Sequence, residues 1–152
     1  MILRRTFLAL LVMGFSLAWS QPTYASHYPL DSLTFLSEAE ITALKKIPAR
    51  GTKDAGIALA HPKQRKQVAS RIGLSVKRLS ELGSLFDLMR VRGAGPKMAR
   101  LFQIAGVDSC TSLAQKDPVH LLGQLRVANH NHNIASKLPD AKILTNWIQQ
   151  AS

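Results

Sequence analysis

Leu88-Met89-Arg90-Val91-Arg92-Gly93-Ala94-Gly95-Pro96-Lys97-Met98-Ala99-Arg100-Leu101-Phe102 is the stretch on which the reading of this chain turns. Two glycines flank one small residue between two amphipathic segments. Glycine tolerates positive φ and lets another backbone come close, so Gly93 and Gly95 predict a tight turn. Pro96 pre-sets the first turn of the helix that follows. The amides of Gly95, Lys97 and Met98 are then expected to point outward with the positive end of the helix dipole, which makes a seat for phosphate. Lys97 and Arg100 lie three apart and share a face away from Met98 and Leu101. A contact that grips a nucleic-acid backbone without reading sequence needs this arrangement.

Outward from the turn, the chain reads as short helices punctuated by caps. Ser37 with Glu40 three residues later forms a capping box, with Ile41, Leu44 and Ile47 behind it at helical spacing and Pro48 and Gly51 as the stop. Thr52 is expected to cap a short helix carrying Ile57 and Leu59. Pro62 suits the first turn of a helix over Pro62–Ile72, and Gly73 its end. Ser75 caps a longer helix with Leu79, Leu82, Phe86 and Met89 on its apolar face. After the turn, Met98, Leu101, Phe102 and Ala105 face inward and Gly106 closes the helix. Asp108 is expected to cap Ser109–Gln115, and Asp117-Pro118 to open Pro118–Ala128. Pro139 opens Asp140–Ala151, with Ile143, Trp147 and Ile148 on one face. No segment alternates apolar and polar residues with the β-branched enrichment of a strand. The expectation is an all-α, compact bundle of six to eight short helices.

The central stretch resembles the helix-hairpin-helix motif, whose pattern is apolar-x-Gly-apolar-Gly followed by a helix with an early alanine. Val91, Gly93, Gly95, Ala99 and Leu101 match it. Ala94 departs from it, standing where the motif has a larger aliphatic plug. The resemblance extends to Ala69…Gly73-Leu74, Phe86-Asp87-Leu88-Met89-Arg90-Val91, Ala105-Gly106-Val107-Asp108…Leu113-Ala114-Gln115, Asn129, Leu138-Pro139 and Trp147-Ile148. Together these look like an uncharacterised bacterial family with tandem helix-hairpin-helix motifs, a domain of unknown function, over roughly Leu36 to Ser152. The family implies a fold but no established activity. Its first hairpin would fall near Ile41–Ala60, where Ile47-Pro48-Ala49-Arg50-Gly51 lacks the paired glycines. One clear and one degenerate motif are therefore expected.

The first residues read differently. Arg4 and Arg5 precede an apolar run, Phe7 to Trp19, too short to span a bilayer comfortably, and Thr23-Tyr24-Ala25 supplies a small-residue cleavage pattern. Residues 1–25 are expected to be a signal peptide cut near Ala25, leaving a mature chain with no stable membrane span, periplasmic or secreted. Arg4-Arg5-Thr6-Phe7-Leu8 also resembles a twin-arginine signal. The short charged region and strongly apolar core favour the general secretory route. Residues 26–35 read as a flexible N-terminal arm, and 36–152 as the helical domain. The full chain carries 20 Lys+Arg against 9 Asp+Glu, a net of +11. Without Arg4 and Arg5 the remainder stands at 18 against 9, a net of +9. Such a charge attracts polyanions such as nucleic acid, anionic lipid or polysaccharide. From Lys63 to Arg100 ten basic residues (Lys63, Arg65, Lys66, Arg71, Lys77, Arg78, Arg90, Arg92, Lys97, Arg100) are opposed only by Glu81 and Asp87. The lone cysteine, Cys110, excludes an intrachain disulfide and reads as a small hydrophobe.

Other chemistry finds little support. His120, His130 and His132 lack an acidic or thiol ligand nearby, and Asn129-His130-Asn131-His132-Asn133 reads as a polar loop. No nucleophile elbow, carboxylate pair or Cys–His arrangement is present, so no enzyme, metal, cofactor or small-molecule substrate is expected. Asp54, Asp108, Asp117 and Asp140 read as helix caps, and Asp87 as a structural partner of Arg90. Two classes remain. One is an exported module that binds nucleic acid through backbone phosphates at Arg92, Gly93, Gly95, Lys97 and Arg100, loosely similar to the receptor that captures DNA in natural competence. The other is a structural or protein-interaction domain that uses the hairpin for packing.

Overall fold

A computed structural model describes residues 27–152; the expected signal peptide, residues 1–25, lies outside them. Among the described residues there are eight α-helices and no strand: α1 Glu38–Leu44, α2 Thr52–Leu59, α3 Pro62–Ile72, α4 Val76–Leu88, α5 Gly95–Ile104, α6 Cys110–Ala114, α7 Pro118–His132 and α8 Ala141–Ala151. None of them is long and apolar enough to cross a membrane. The all-α expectation and its helix number hold.

Local chemistry explains most boundaries. The Ser37–Glu40 capping box is complete: the Glu40 amide donates to Ser37 Oγ at 3.2 Å and the Ser37 amide to Glu40 Oε2 at 2.9 Å. Ser75, Asp117 and Asp140 cap α4, α7 and α8 through their side chains. Gly73 ends α3 in the left-handed conformation.

α4 is the hub, packed against α2, α3 and α5, while α7 packs on both α5 and α8 and α6 on α8. Leu79, Leu82, Phe86 and Leu88 put its core face out of water, and Met89 follows at the helix end. Phe102 of α5 meets Trp147 of α8 edge to face, with ring centroids 6.0 Å apart and planes at 87°. α1 is tied to α4 by Arg78, whose Nε lies 2.6 Å from Glu40 Oε1 and whose Nη1 lies 3.3 Å from Glu81 Oε2. The Arg78 guanidinium holds the Glu40 carboxyl below its usual range, and Glu40 raises Arg78 in return.

Several sequence expectations are corrected. The described part of the expected arm, residues 27–35, is packed on the body: Leu30 and Leu33 are buried and a 3-10 turn spans Leu30–Ser32. Two hydrogen bonds fix it. The Thr52 amide donates to the Tyr28 carbonyl at 3.0 Å, and the Tyr28 amide to Thr52 Oγ1 at 3.2 Å. Thr52 is therefore the buried first residue of α2, with Gly51 at the cap, and its hydroxyl serves the N-terminal segment. Ile57 points to solvent, and Ala55 and Leu59 take the inner face instead. Ser109, not Asp108, caps α6. Asp108 gives its carbonyl to the Ser84 hydroxyl and its carboxylate to Ser109. α7 runs on through Asn129–His132, and the loop predicted there is its last turn, ended by left-handed Asn133. Asn129 makes that end by accepting from the Ile134 and Ala135 amides and donating to the Ala135 carbonyl. On α8, Leu144 rather than Ile143 joins Trp147 in the core.

Candidate functional site

The turn between α4 and α5 runs from Met89 to Ala94. The chain leaves α4 through tight bonds, with the Arg90 amide on the Asp87 carbonyl at 3.1 Å and the Val91 amide on the Leu88 carbonyl at 3.2 Å. Val91 and Ala94 are buried, and the Ala94 amide donates to the Val91 carbonyl at 3.2 Å, so alanine does seat the turn on the core. Gly93 has φ +86° and Gly95 φ +68°, a region that favours glycine at both positions.

Towards α8, the Arg92 amide donates to Gln150 Oε1 at 3.0 Å, and a Cβ on Gly93 would lie 3.3 Å from Trp147 Nε1. The amides of Gly93, Gly95 and Lys97 have no acceptor among the described residues, and the Ala94 cap has no side-chain oxygen to offer them. The Tyr28 hydroxyl stands 3.4 Å from where a Gly95 Cβ would be. Arg92, Lys97 and Arg100 are exposed and none has an acidic partner among the described residues. The five residues singled out in the sequence thus lie together on one turn and the helix that follows it.

The wider basic stretch is partly spent within the molecule. Arg78 pairs with Glu40 and Glu81, Arg90 with Asp87 at 2.9 Å, and Arg65 donates to the Ser80 hydroxyl. Lys63, Lys66, Arg71, Lys77, Arg92, Lys97 and Arg100 have no ion-pair partner among the described residues. An open groove of 1230 Å³ runs beside α4, with Lys53, Arg65, Lys77 and Arg90 on its walls and Glu81, Asp87 and Asp108 between them.

Asp87 anchors the joint behind the turn. Its Oδ1 accepts from Arg90 and its Oδ2 accepts from the Cys110 amide at 2.7 Å, at the start of α6. Cys110 Sγ in turn donates to the Asp87 carbonyl at 3.1 Å. Burial, together with the Asp87 charge, pushes the thiol up to about 11. Among the described residues no cluster of three or more His, Cys, Asp or Glu could hold a metal ion.

Trp147 is in the core as the sequence suggests, but sequence reasoning missed that it, Tyr28 and Gln150 approach the turn from elsewhere in the chain. Gln150 is 58 residues from Arg92 along the chain, and no local pattern marks that pairing. Compared with known proteins, the chain matches the model of one family, described as Domain of unknown function (DUF4332), over residues 36–152. No curated protein and no solved structure matches it.

Proposed function

We propose that this chain, which belongs to the DUF4332 family, is an exported, non-enzymatic protein that binds duplex nucleic acid without sequence preference, through backbone phosphates at the α4–α5 turn. The observation that carries the reading is that one turn and the helix start after it hold three unpartnered amides, at Gly93, Gly95 and Lys97, together with the exposed, unpaired cations Arg92, Lys97 and Arg100. Amides at a helix start and cations three apart suit successive phosphate oxygens, and neither offers base-specific readout. Its likeness to a helix-hairpin-helix motif points the same way. The charged start and short apolar run of residues 1–25 support export through a cleaved signal peptide.

The test is binding of random duplex DNA across a salt series, beside the Lys97→Ala, Arg100→Ala double variant. Each phosphate neutralised contributes a slope of about −0.9 in log K against log salt, so removing two cations should flatten the slope by about 1.8. No binding, or the same slope in both proteins, overturns the reading.

A second reading has its own observation. The Gln150 and Trp147 contacts make part of the turn a packing surface for α8. A hairpin that serves only this packing, in a structural or protein-interaction domain, predicts association that is nearly insensitive to salt.

A further inference from the structure

From Ala55 to Ser80 the chain carries six basic residues and no acidic one. Three of the six, Lys63, Lys66 and Arg71, lie on α3 at exposed positions, with no acidic group within 4 Å among the described residues. Val68 and Ile72 commit the other side of α3 to the core. With 3.6 residues per turn, Lys63, Lys66, Gln67 and Arg71 share the side opposite that pair. This charge pattern works against the fold. Lys63 and Lys66 are three apart, a spacing at which like charges repel on a helix. Lys63 also stands in the first turn of α3, which has no acidic residue, and there the helix dipole disfavours a cation. α1 and α2 do the reverse, with Glu38 and Glu40 in one first turn and Asp54 in the other. A local rule broken without a compensating contact inside the molecule is expected at functional positions.

We propose that the outer side of α3 is a second contact for the duplex, at which Lys63, Lys66 and Arg71 neutralise backbone phosphates. The inference rests on the reading that the partner is a duplex, and not on which residues of the α4–α5 turn touch it. Phosphates relieve both defects at once, since they separate Lys63 from Lys66 electrostatically and supply the negative charge that the first turn of α3 lacks. The chemistry of this side selects the partner. A helix that lies on a membrane needs large apolar side chains to enter the lipid, whereas α3 keeps Val68 and Ile72 in the core and exposes no large apolar residue. Gln64 and Gln67, both exposed, add amide donors of the kind that contact phosphate oxygens. α3 and α5 pack on the same helix, α4, and a polymer, unlike a small anion, is long enough to engage cations on both. Lys63 and Arg71 are about 12 Å apart along the helix axis, room for about three phosphates of one strand at ~3.4 Å of duplex axis each.

The test uses the protein as recovered from expressing cells, beside two double variants. Lys63→Gln, Lys66→Gln alters α3. Lys137→Gln, Lys142→Gln removes the same charge from exposed positions around the start of α8. Binding to random duplex DNA is followed across a salt series, and melting is recorded without DNA. The α3 pair should flatten the slope of log K against log salt by about 1.8, and the α8 pair should leave it nearly unchanged. Glutamine keeps the helix propensity of lysine, so the free α3 variant should melt about 2–4 °C higher at low salt, a gain that shrinks as salt rises. Equal slopes in wild type and α3 variant, equal flattening by both variants, or a lower melting temperature of the α3 variant would each overturn the proposal. A slope flattened by the α3 pair but not by Lys97→Ala, Arg100→Ala keeps this contact and removes the one at the turn, and the converse removes this one alone. A wild type that binds phosphatidylglycerol vesicles and no duplex overturns both.

Discussion

Cys110 is the only cysteine in the chain, and its reactivity reports on the joint between α4 and α6. Burial, and after it the Asp87 carboxylate, push the thiol from 9.0 to about 11, while Arg90 pulls it down. Only the thiolate attacks an alkylating reagent, so a rise of this size leaves roughly a hundredfold less reactive species at pH 8. Asp87→Asn removes the charge yet keeps an oxygen for the Cys110 amide, so the joint should persist while the thiol becomes more acidic. The assay is the alkylation rate as a function of pH for native protein, the Asp87→Asn variant and chain unfolded in denaturant. Half-burial slows every native rate, so the shape of the curve carries the information. The unfolded chain should level off near pH 9, whereas the native rate should climb about tenfold per pH unit through that point. The variant should level off between the two. A native curve that bends where the unfolded one does would refute the reasoning, and so would a variant whose bend has not moved.

Glu40→Gln should weaken the protein by about 1–3 kcal/mol at neutral pH, the range for a charged hydrogen bond on a largely buried acceptor. The Glu40 carboxyl is held below 4.5, so its contribution is complete above that value and is lost as pH falls through the lower folded value. Urea midpoints at pH 7 and pH 3 should therefore differ more in the wild type than in the variant, and equal differences would remove the pair from the account. Gly93→Ala forces a side chain into φ +86° and toward Trp147 Nε1. Left-handed strain of about 1–2 kcal/mol should lower the melting temperature by roughly 4–8 °C, and an unchanged melting temperature would show that the turn relaxes freely.

The features legible in the sequence were those written in consecutive residues. The capping box at Ser37–Glu40, the proline at the start of α3 and the glycine at its end each set their own boundary. The glycine pair at 93 and 95 gave the turn because positive φ is a demand on one residue at a time. Errors arose where a tertiary partner decided between local options. Thr52 could have been a cap, but its hydroxyl accepts from the Tyr28 amide of the N-terminal segment, and Gly51 takes the cap. Asp108 is the cap the sequence suggests for α6, but its carbonyl accepts from the Ser84 hydroxyl and Ser109 caps the helix instead. The polar run Asn129–His132 looked like a loop by composition. It is helical because Asn129 supplies its own terminus, a geometry that needs the αL residue Asn133 beyond it. Burial of Leu30 and Leu33 escaped for a different reason, since the 3-10 turn Leu30–Ser32 is too short to show a helical period.

The packing of the α4–α5 turn on α8 bears on what such a turn can do. Folding fixes part of it, through Gln150 on the Arg92 amide and Trp147 against Gly93, before any ligand arrives. A binding loop that its ligand must order loses affinity at about 0.5–1.5 kcal/mol per immobilised side chain, and this turn has its backbone already set. Packing and phosphate binding are thus not rivals for the same atoms. The α8 contacts use the Arg92 amide and the Cα surface of Gly93, whereas the proposed anion contacts use the amides of Gly93, Gly95 and Lys97 with the side chains of the nearby cations. Substitutions at the α8 contacts should therefore act on stability, and those at Lys97 and Arg100, both exposed, on the salt-dependent part of binding alone. Binding that followed the melting temperature rather than the charge at Lys97 and Arg100 would assign the turn to packing.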